Sequence, residues 1–284
     1  MKKILIIGKN SFVATNIFNN FKNHFNVKKL NFLEFSKLKK KNLIQYDYII
    51  NCSILKKYTS QKYQLSNDLD LKIAKKIFDT SIKLIFLSTR KVYKSNTNIR
   101  ETSMLRPNCF YSKNKLISEG KIEKILLKKV LILRVSNLIG NIDLNKKYRK
   151  IHYTFIDTFF INIKKKIIFN NNHIFKDFIT MDKFSEILKK LIKVNAIGIF
   201  NISIGKKIYL KELVGWLNFY NKQKKIKIVK LPKSFNKDSF FLNNSKLKKT
   251  IKIKISKSEL KEYCKKLSKN FFYSNKNQLK TYRK

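Results

Sequence analysis

The sequence of 284 residues has few of the residues that punctuate or cross-link a chain. It contains 6 glycines and 2 prolines, so each glycine is expected at a position that needs its conformational freedom. Its 3 cysteines form neither a C-x-x-C pair nor an even set, which argues against a disulfide framework and favours reduced thiols. The 3 histidines are far apart in the sequence, and their spacing predicts no metal site.

Long apolar runs are also missing. The stretch MKKILIIGKN has a basic start, but its apolar run ends at Gly8 and is shorter than that of a secretory signal. No apolar stretch reaches the length of about 18 residues that a membrane-spanning helix needs. We therefore predict a cytoplasmic protein without membrane insertion.

Acidic residues are scarce. The chain has 17 Asp and Glu against 65 Lys and Arg, which gives a net charge of +48. Such a charge is typical of proteins that bind nucleic acid or a membrane surface. The excess is nearly all lysine and is spread along the whole chain, together with other residues that share AT-rich codons. We therefore favour a solvated lysine surface over a dedicated nucleic-acid face, and predict no specific nucleic-acid partner.

Apolar runs alternate with amphipathic segments through the first 140 residues. We predict strands at residues 3–8, 46–53, 83–89 and 130–140, and helices after Gly8 and at 69–82 and 111–129. This order predicts an α/β fold with a doubly wound parallel sheet of the Rossmann type.

The character of the sequence changes after Gly140, where a polar, charged stretch begins. We predict a dinucleotide-binding domain of residues 1–145, with residues 177–200 packing back on it. A smaller α/β region of residues 146–284 would bind the substrate.

The segment Gly8-Lys-Asn-Ser11-Phe-Val-Ala14 lies between the first predicted strand and a helix. Gly8 would permit a tight turn, Ser11 would let the backbone approach a phosphate, and Ala14 would pack the helix on the strand. The free N–H groups of the helix start would bind the pyrophosphate. An ordinary strand–turn–helix fits this degenerate motif as well. The candidate cofactor residues here are Gly8, Asn10, Ser11, Phe12 and Val13.

The segment FNVKKLNFLEF (25–35), which follows the helix after Gly8, shows no acid just past its strand-like part that could hold the ribose 2′-hydroxyl of NAD. It offers Lys28, Lys29 and Asn31, and lysines there would suit the 2′-phosphate of NADP. The sequence thus leans towards NADP, with Asn31 as a cofactor candidate.

The pattern Tyr-x-x-x-Lys can supply an acid/base pair in nicotinamide-dependent enzymes. With 13 tyrosines in a lysine-rich chain, about three matches are expected by chance. The sequence contains three, at Tyr58/Lys62, Tyr111/Lys115 and Tyr220/Lys224. The spacing alone therefore selects none of them.

The order of motifs along the chain does select one. The series runs from Gly8-x-x-Ser11 through NCS (51–53), Asn67, LSTRKVY (87–93) and ETSMLRPNCFYSKNK (101–115) to LRVSNLIG, KDFITMDKFSEIL and GIFNISIG. This series resembles the extended short-chain dehydrogenase/reductase family, which includes nucleotide-sugar epimerases, dehydratases and dTDP-4-dehydrorhamnose reductase-like enzymes. The resemblance covers roughly residues 1–215, with Lys176 at a position where the family has arginine.

The resemblance implies NAD or NADP as cofactor, a nucleotide sugar as substrate and an α/β fold, and it allows a homodimer. It implies that Thr89, Tyr111 and Lys115 are catalytic, and that Lys115 lowers the pKa of Tyr111 towards neutrality while holding the nicotinamide ribose. Tyr58 and Tyr220 are then expected at the surface. Further cofactor candidates are Cys52, Ser53 and Asn67, and the substrate candidates are Ser88, Arg90, Asn137 and Lys176.

The pair that follows Thr89 narrows the implied reaction. The family's 4,6-dehydratases carry an acidic pair there, whereas this chain has Arg90 and Lys91, which disfavours a dehydratase. An epimerase and a 4-keto reductase stay open, and Cys109 is a further acid/base candidate. The alternative is a catalytically weak, nucleotide-sugar- or NAD(P)-binding protein with a regulatory or scaffolding role, because Ser11, Ala14 and Lys176 depart from the family pattern.

Overall fold

The computed structural model describes residues 1–140, 155–164, 166–170, 173–222, 227–230 and 239–281. Its strands are β1 (Lys3–Ile7), β2 (Asn26–Leu30), β3 (Tyr48–Asn51), β4 (Lys83–Thr89), β5 (Val130–Val135), β6 (Asn137–Ile139), β7 (Ile167–Asn170), β8 (Phe175–Lys176), β9 (Phe178–Thr180), β10 (Gly198–Ile202), β11 (Ile208–Tyr209) and β12 (Lys227–Lys230). Its helices are α1 (Phe12–Phe21), α2 (Phe32–Lys37), α3 (Lys40–Leu43), α4 (Lys56–Ser60), α5 (Leu69–Ile77), α6 (Phe110–Leu126), α7 (Phe155–Lys164), α8 (Met181–Lys193), α9 (Leu210–Leu217), α10 (Ser245–Ile251) and α11 (Lys257–Thr281).

A six-stranded sheet organises the fold. Its strand order is β10-β5-β4-β3-β1-β2, and every neighbouring pair is parallel. Because parallel strands need crossover connections, the intervening helices cover both faces of the sheet. The predicted α/β fold with a doubly wound parallel sheet is confirmed.

Strand β1 shows why the sequence forms this sheet. Its four residues from Ile4 to Ile7 are completely buried, although successive side chains point to opposite faces. Ile4 and Ile6 join the core under α1 and α8, whereas Leu5 and Ile7 join the core under α5 and α6. Burial of each such side chain contributes about 1.5–3 kcal/mol, so an uninterrupted apolar run is stable only between two helical layers.

The predicted single strand over 130–140 is two strands in the structure. Strand β5 pairs with β4 and β10 inside the large sheet, whereas β6 leaves that sheet and pairs with β9. Ser136 lies between them, and its N–H donates to the carbonyl oxygen of Ile202 at 3.0 Å. A run of apolar residues predicts strand conformation, but the change of partner depends on contacts that are distant in sequence.

The later part of the chain returns to the large sheet through α8, which packs beside α1, and through β10, which pairs with β5. Small two-stranded sheets form from β8 with β11 and from β7 with β12, and α9 packs against α11. The predicted boundary at residues 145 and 146 and the polar stretch that motivates it lie outside the described residues. The division into two domains stays a prediction.

Among the helices in the described part of the chain, none is both long enough and apolar enough to span a membrane.

Candidate active site

The carboxyl ends of the parallel strands place most of the predicted residues along one edge of the sheet. The turn at Gly8 follows β1, Asn31 follows β2, and Cys52 and Ser53 follow β3. Ser88 and Thr89 end β4. In open α/β sheets this edge is where ligands bind. Of the other predicted residues, Asn67 is in the turn that precedes α5, Asn137 begins β6, and Lys176 is in β8, outside the large sheet.

The turn after β1 requires its glycine. Gly8 has φ of +110°, and a Cβ atom there would lie 2.9 Å from the carbonyl carbon of Cys52 and 3.0 Å from the nitrogen of Ser53. Ser11 then caps α1, because its Oγ accepts a hydrogen bond from the N–H of Ala14 at 3.4 Å. The predicted phosphate loop is thus a tight turn, seated on the end of β3, that leads into a capped helix.

The end of β2 holds an acid that the sequence interpretation overlooked. Glu34 lies in α2, and its Oε2 accepts the N–H of Asn31 at 2.7 Å. The side chain of Asn31 accepts the N–H of Glu34 at 2.8 Å, which completes a capping box. Lys9 lies 3.9 Å from the same carboxylate. The expectation of an edge without acid was therefore wrong, since the helix start folds Glu34 back towards the strand end; the pattern Asn-x-x-Glu is the signal that could have revealed it.

The predicted catalytic residues come together. Thr89 ends β4, and Tyr111 and Lys115 lie one turn apart near the start of α6. The hydroxyls of Thr89 and Tyr111 hydrogen-bond each other. The Lys115 ammonium lies beside the phenol, close enough to interact electrostatically with it. The structure therefore assembles the hydroxyl pair and the cation that acid/base chemistry by a tyrosine needs.

The Lys115 ammonium has a buried counter-ion. Its Nζ donates to Oδ2 of Asp70 in α5 at 3.0 Å, and both side chains are only 6% exposed. The ammonium also lies 4.4 Å from the centre of the Phe86 ring. Burial alone would lower the pKa of Lys115, but Asp70 and Tyr111 raise it above its ordinary value.

The phenol of Tyr111 behaves differently from the sequence expectation. Burial raises its pKa, and the Lys115 ammonium and the hydrogen bond with Thr89 oppose that rise without cancelling it. The carboxylate of Asp70 adds to the rise. The Lys115 ammonium, which the sequence places beside Tyr111, is also paired with Asp70. The sequence interpretation did not include this acid.

The two candidate cysteines, Cys52 and Cys109, are partly buried. Burial raises the pKa of the Cys52 thiol, so it stays protonated near neutrality. Cys109 lies just before α6, where its Sγ is 3.2 Å from Oγ of Ser112. In the described part of the chain, no group of three His, Cys, Asp or Glu side chains is arranged to hold a metal ion.

The expectation that Tyr58 lies at the surface was wrong. Tyr58 is 3% exposed, and its hydroxyl lies 2.7 Å from Oγ of Ser118 in α6. Its carbonyl oxygen accepts from the side chain of Asn114 at 2.7 Å. Helix α4 therefore packs on α6 through this tyrosine, while Tyr220 is half-buried against the rings of Phe219 and Tyr273.

Two predicted substrate residues take part in packing. Ser88 is buried and donates a hydrogen bond to the carboxylate of Glu119. Arg90 is buried too, and its guanidinium lies 3.7 Å from the centre of the Phe240 ring. These contacts explain how β4 and the turn after it are fixed.

The remaining polar candidates are placed by local contacts. The side chain of Asn137 donates to the carbonyl oxygen of Asp177 at 3.0 Å, which links β6 to the segment before β9. The side chain of Asn67 donates to Gln64 at 2.9 Å. Lys176 pairs with Ile208 between β8 and β11.

A second buried ion pair lies one helical turn further along α6. Arg134 of β5 reaches the carboxylate of Glu119, with Nη2 2.6 Å from Oε2 and Nε 3.2 Å from each oxygen. Its Nη1 donates to the hydroxyl of Tyr93 at 3.0 Å and to the carbonyl oxygen of Glu101 at 3.1 Å. The fixed fork of the guanidinium is therefore bonded on all of its nitrogens to parts of the fold.

Comparisons with known proteins agree with this architecture. The family model described as the RmlD substrate binding domain matches residues 1–152. No curated protein gives a significant match to the chain.

Solved structures share the fold over nearly the whole chain. UDP-N-acetylglucosamine 4-epimerase from Methanobrevibacter ruminantium M1, in complex with UDP-N-acetylmuramic acid, is 17% identical with a TM-score of 0.77, covering 96% of this chain and 99% of its own. A dTDP-4-dehydrorhamnose reductase from Clostridium acetobutylicum ATCC 824 is 16% identical with a TM-score of 0.70, covering 92% and 98%.

A third solved structure, dTDP-glucose 4,6-dehydratase from Bacillus anthracis str. Ames in complex with NAD, is 16% identical with a TM-score of 0.73 and covers 98% of each chain. The three structures are named for three different reactions. At these identities the likeness establishes the fold, and the reaction has to be argued from the residues of this chain.

Proposed function

Since the chain belongs to the RmlD substrate binding domain family, we propose that it is an NAD(P)-dependent enzyme that transfers a hydride between the nicotinamide and a carbon of a nucleotide sugar. The observation that carries this proposal is the cluster of Thr89, Tyr111 and Lys115 at the carboxyl edge of the sheet. The nucleotide sugar would lie between this edge and the region after residue 146.

The residues of the turn fit a dinucleotide. Gly8 leaves space at a point where a side chain would collide with the end of β3, and Ser11 caps α1. The first amides of α1 have no acceptor within the helix, and they carry its positive end towards the same edge. We propose that Phe12 and Val13 offer these amides to the pyrophosphate.

When bound, the nicotinamide supplies the hydride chemistry. We propose that Tyr111 moves the proton at the sugar oxygen, that Thr89 orients that oxygen, and that Lys115 supports the phenol electrostatically. Burial raises the pKa of Tyr111, so the phenol holds its proton near neutral pH. It can therefore donate that proton to the oxygen of a sugar carbonyl as the hydride arrives, which is the reductive step common to a 4-keto reductase and an epimerase.

We place dehydration below these two reactions. The elimination of water needs an acid and a base beyond the tyrosine, and Arg90 and Lys91 stand where that pair would be. Arg90 is packed against Phe240, and Lys91 is exposed on a short turn after β4. Neither residue is placed as an acid or a base there.

The edge near β2 informs the choice of cofactor. The carboxylate of Glu34 would repel a 2′-phosphate and could accept a ribose hydroxyl, which favours NAD. The positive charges of Lys9 and of the exposed Lys28 would attract a 2′-phosphate, which favours NADP. We propose NAD as the preferred cofactor, in contrast to the sequence preference for NADP.

The test begins with mass spectrometry of the nucleotides that the purified protein releases on denaturation. Retained NAD favours an epimerase over a reductase, because an epimerase recycles its cofactor. An empty site that binds NADPH and oxidises it with a 4-keto nucleotide sugar identifies a reductase. A protein that binds neither cofactor in titrations contradicts the proposal.

A matched pair of glycine variants localises the binding. Gly8→Ala should lower cofactor affinity at least about tenfold, because its Cβ would collide with backbone and its φ is strained. Gly215→Ala in α9 is the control, since a Cβ there meets no atom within 4 Å. Equal affinity of the two variants would show that the cofactor binds elsewhere.

A further inference from the structure

We propose that Asp70 is a positioning residue of the site: its carboxylate holds the Lys115 ammonium in place and links it, through Asn51, to the turn that faces the cofactor. This inference rests on the proposed function. It adds a residue that neither the sequence motifs nor the predicted site included.

The first support is the geometry of the ion pair. Asp70 lies in α5 and Lys115 in α6, so the contact joins two helices across 45 residues of sequence. Both side chains are almost fully buried, which fixes the ammonium far more tightly than an exposed pair would. The rings of Phe86 at 4.4 Å and Tyr58 at 5.6 Å enclose the ammonium further.

The second support is the role of the other carboxylate oxygen. Oδ1 of Asp70 accepts from the side chain of Asn51 at 2.8 Å. The carbonyl oxygen of that side chain accepts the N–H of Ser53 at 2.9 Å. Ser53 lies against Gly8, where an added Cβ would be 3.0 Å from its nitrogen. A continuous chain of contacts therefore runs from Lys115 to the turn between β1 and α1.

The third support is the number of hydrogen bonds that the Lys115 ammonium can still make. An ammonium has three hydrogens, and one hydrogen bond to Asp70 leaves two for a ribose hydroxyl or another acceptor. Arg134, in contrast, uses Nε and both Nη atoms inside the fold. The arrangement of Lys115 is suited to a cation that is anchored on one side and binds a ligand on the other.

The titratable groups around Lys115 define what the removal of Asp70 changes. Asp70 and Asp68 interact with it from the start of α5, Tyr111 from α6, Cys52 from the end of β3, and Tyr58 lies beside it from α4. Burial by itself lowers the pKa of a lysine. Without Asp70 the ammonium should therefore lose its proton at a lower pH.

The experiment measures the Kd of NAD by titration calorimetry at about pH 7 and pH 9, with the full chain. The variants are Asp70→Asn, which keeps the size and removes the charge, Lys115→Met, and the double variant. Asp68→Asn is the matched control, because Asp68 is an equally buried acid two positions away that acts on Lys115 only electrostatically, whereas Asp70 also accepts its hydrogen bond. The carboxylate of Asp68 accepts from Ser118 at 2.5 Å and from Tyr63 at 2.8 Å. Thermal unfolding of every variant shows that it is folded.

Asp70→Asn is expected to raise the Kd about tenfold at pH 7, the size typical of residues that orient a ligand-contacting group, and further at pH 9. The wild type and Asp68→Asn should keep a Kd that differs less than about twofold between the two pH values. In the Lys115→Met background, Asp70→Asn should change the Kd less than about twofold, because its effect acts through Lys115.

Two results would overturn the inference. Asp70→Asn could behave like Asp68→Asn, or its effect could persist in the Lys115→Met background; either result would reduce Asp70 to a structural residue. If Asp70→Asn does not fold, Asn51→Ala replaces it, with an expected Kd about threefold higher that disappears in the Lys115→Met background. No change in either background overturns the inference as well. A wild type that binds neither NAD nor NADPH contradicts the proposed function itself, which is a distinguishable outcome.

Discussion

Helix α6 contributes one residue to each of two buried ion pairs, and the two pairs differ in how many hydrogen bonds their cations make. Lys115 pairs with Asp70 at 3.0 Å, and Arg134 pairs with Glu119 at 2.6 Å. All four side chains are at most 6% exposed. Burial therefore does not distinguish the two pairs.

The neighbours of each pair do distinguish them. Glu119 also accepts from Ser88, and Arg134 also donates to Tyr93 and Glu101, so this pair joins β4, β5 and α6. Lys115 adjoins Tyr111 at the carboxyl edge of the sheet, where the proposed cofactor would lie. A buried ion pair seldom adds net stability compared with apolar packing, although the loss of one partner is costly. We infer that the Arg134 pair specifies the fold and that the Lys115 pair serves the site.

The largest expected effect is on turnover, and it concerns Tyr111, the neighbour of Lys115. Tyr111→Phe should lower turnover about 10²–10⁴-fold, because it removes the proton that the phenol would donate. Its thermal midpoint should stay close to that of the wild type. Tyr58→Phe is the control: it loses a buried hydroxyl contact with Ser118 and should cost stability while keeping turnover. Wild-type turnover in Tyr111→Phe would contradict the assignment.

For the Arg134 and Glu119 pair we expect a loss of stability with unchanged cofactor binding. Glu119→Gln should lower the free energy of unfolding by about 3–5 kcal/mol, because a buried guanidinium would lose its counter-charge. The measurement is urea denaturation, with Glu123→Gln, one turn later in α6 and only partly buried, as the control. At temperatures where Glu119→Gln is folded, its Kd for NAD should match the wild type. A stable variant with weakened NAD binding would reverse our division of roles.

The same comparison explains what could be predicted from the sequence. The buried strands of the parallel sheet and the turn at Gly8 follow from apolar runs and local spacing, so they were accessible, whereas the lysine-containing β2 has no apolar run. The Tyr111 and Lys115 pair was accessible through the order of motifs. The partners of Lys115 and Arg134 were not, because each ion pair joins residues on different elements of the sheet and its helices.

Errors in the prediction have related causes. Tyr58 resembles a surface residue in sequence because its neighbours are lysines, yet α4 turns it onto α6. Asp70 resembles an ordinary acidic residue of a helix start, and only the fold shows that it meets Lys115. Glu34 was the one overlooked residue with a local signal, since its capping box with Asn31 spans four residues.

Glu34 contrasts with the acids of the two buried ion pairs, because it lies at the edge of the sheet and not in the core. Glu34→Gln should change the ratio of NADP to NAD affinity about tenfold in favour of NADP, since it removes a negative charge near the proposed 2′-position. Its effect on unfolding should be small, as expected for a partly exposed acid whose ion pair with Lys9 is long. The measurement is the Kd of both cofactors, with Asp79→Asn, an exposed acid paired with Lys40, as the control. An unchanged ratio would separate Glu34 from cofactor choice.

Asp177 is a buried acid whose hydrogen-bond donors are uncharged, so it shows how the pKa of a buried acid behaves without a neighbouring cation. It is fully buried and accepts the N–H of Leu242 at 3.0 Å. Burial raises its pKa to about 7, although hydrogen bonds from Leu242 and Ser203 oppose the rise. The raised pKa means that the folded state binds a proton more tightly than the unfolded state does.

The contribution of Asp177 to stability should therefore be complete below about pH 4 and be lost as the pH rises through about 7. The slope cannot exceed about 1.4 kcal/mol per pH unit. Urea denaturation between about pH 5 and pH 8 should show a falling stability that is flatter in Asp177→Asn. The exposed Asp182→Asn serves as the control and should follow the wild type. Parallel profiles for Asp177→Asn and the wild type would show that Asp177 stays ionised in the fold, and that uncharged donors can replace the cations that Asp70 and Glu119 use.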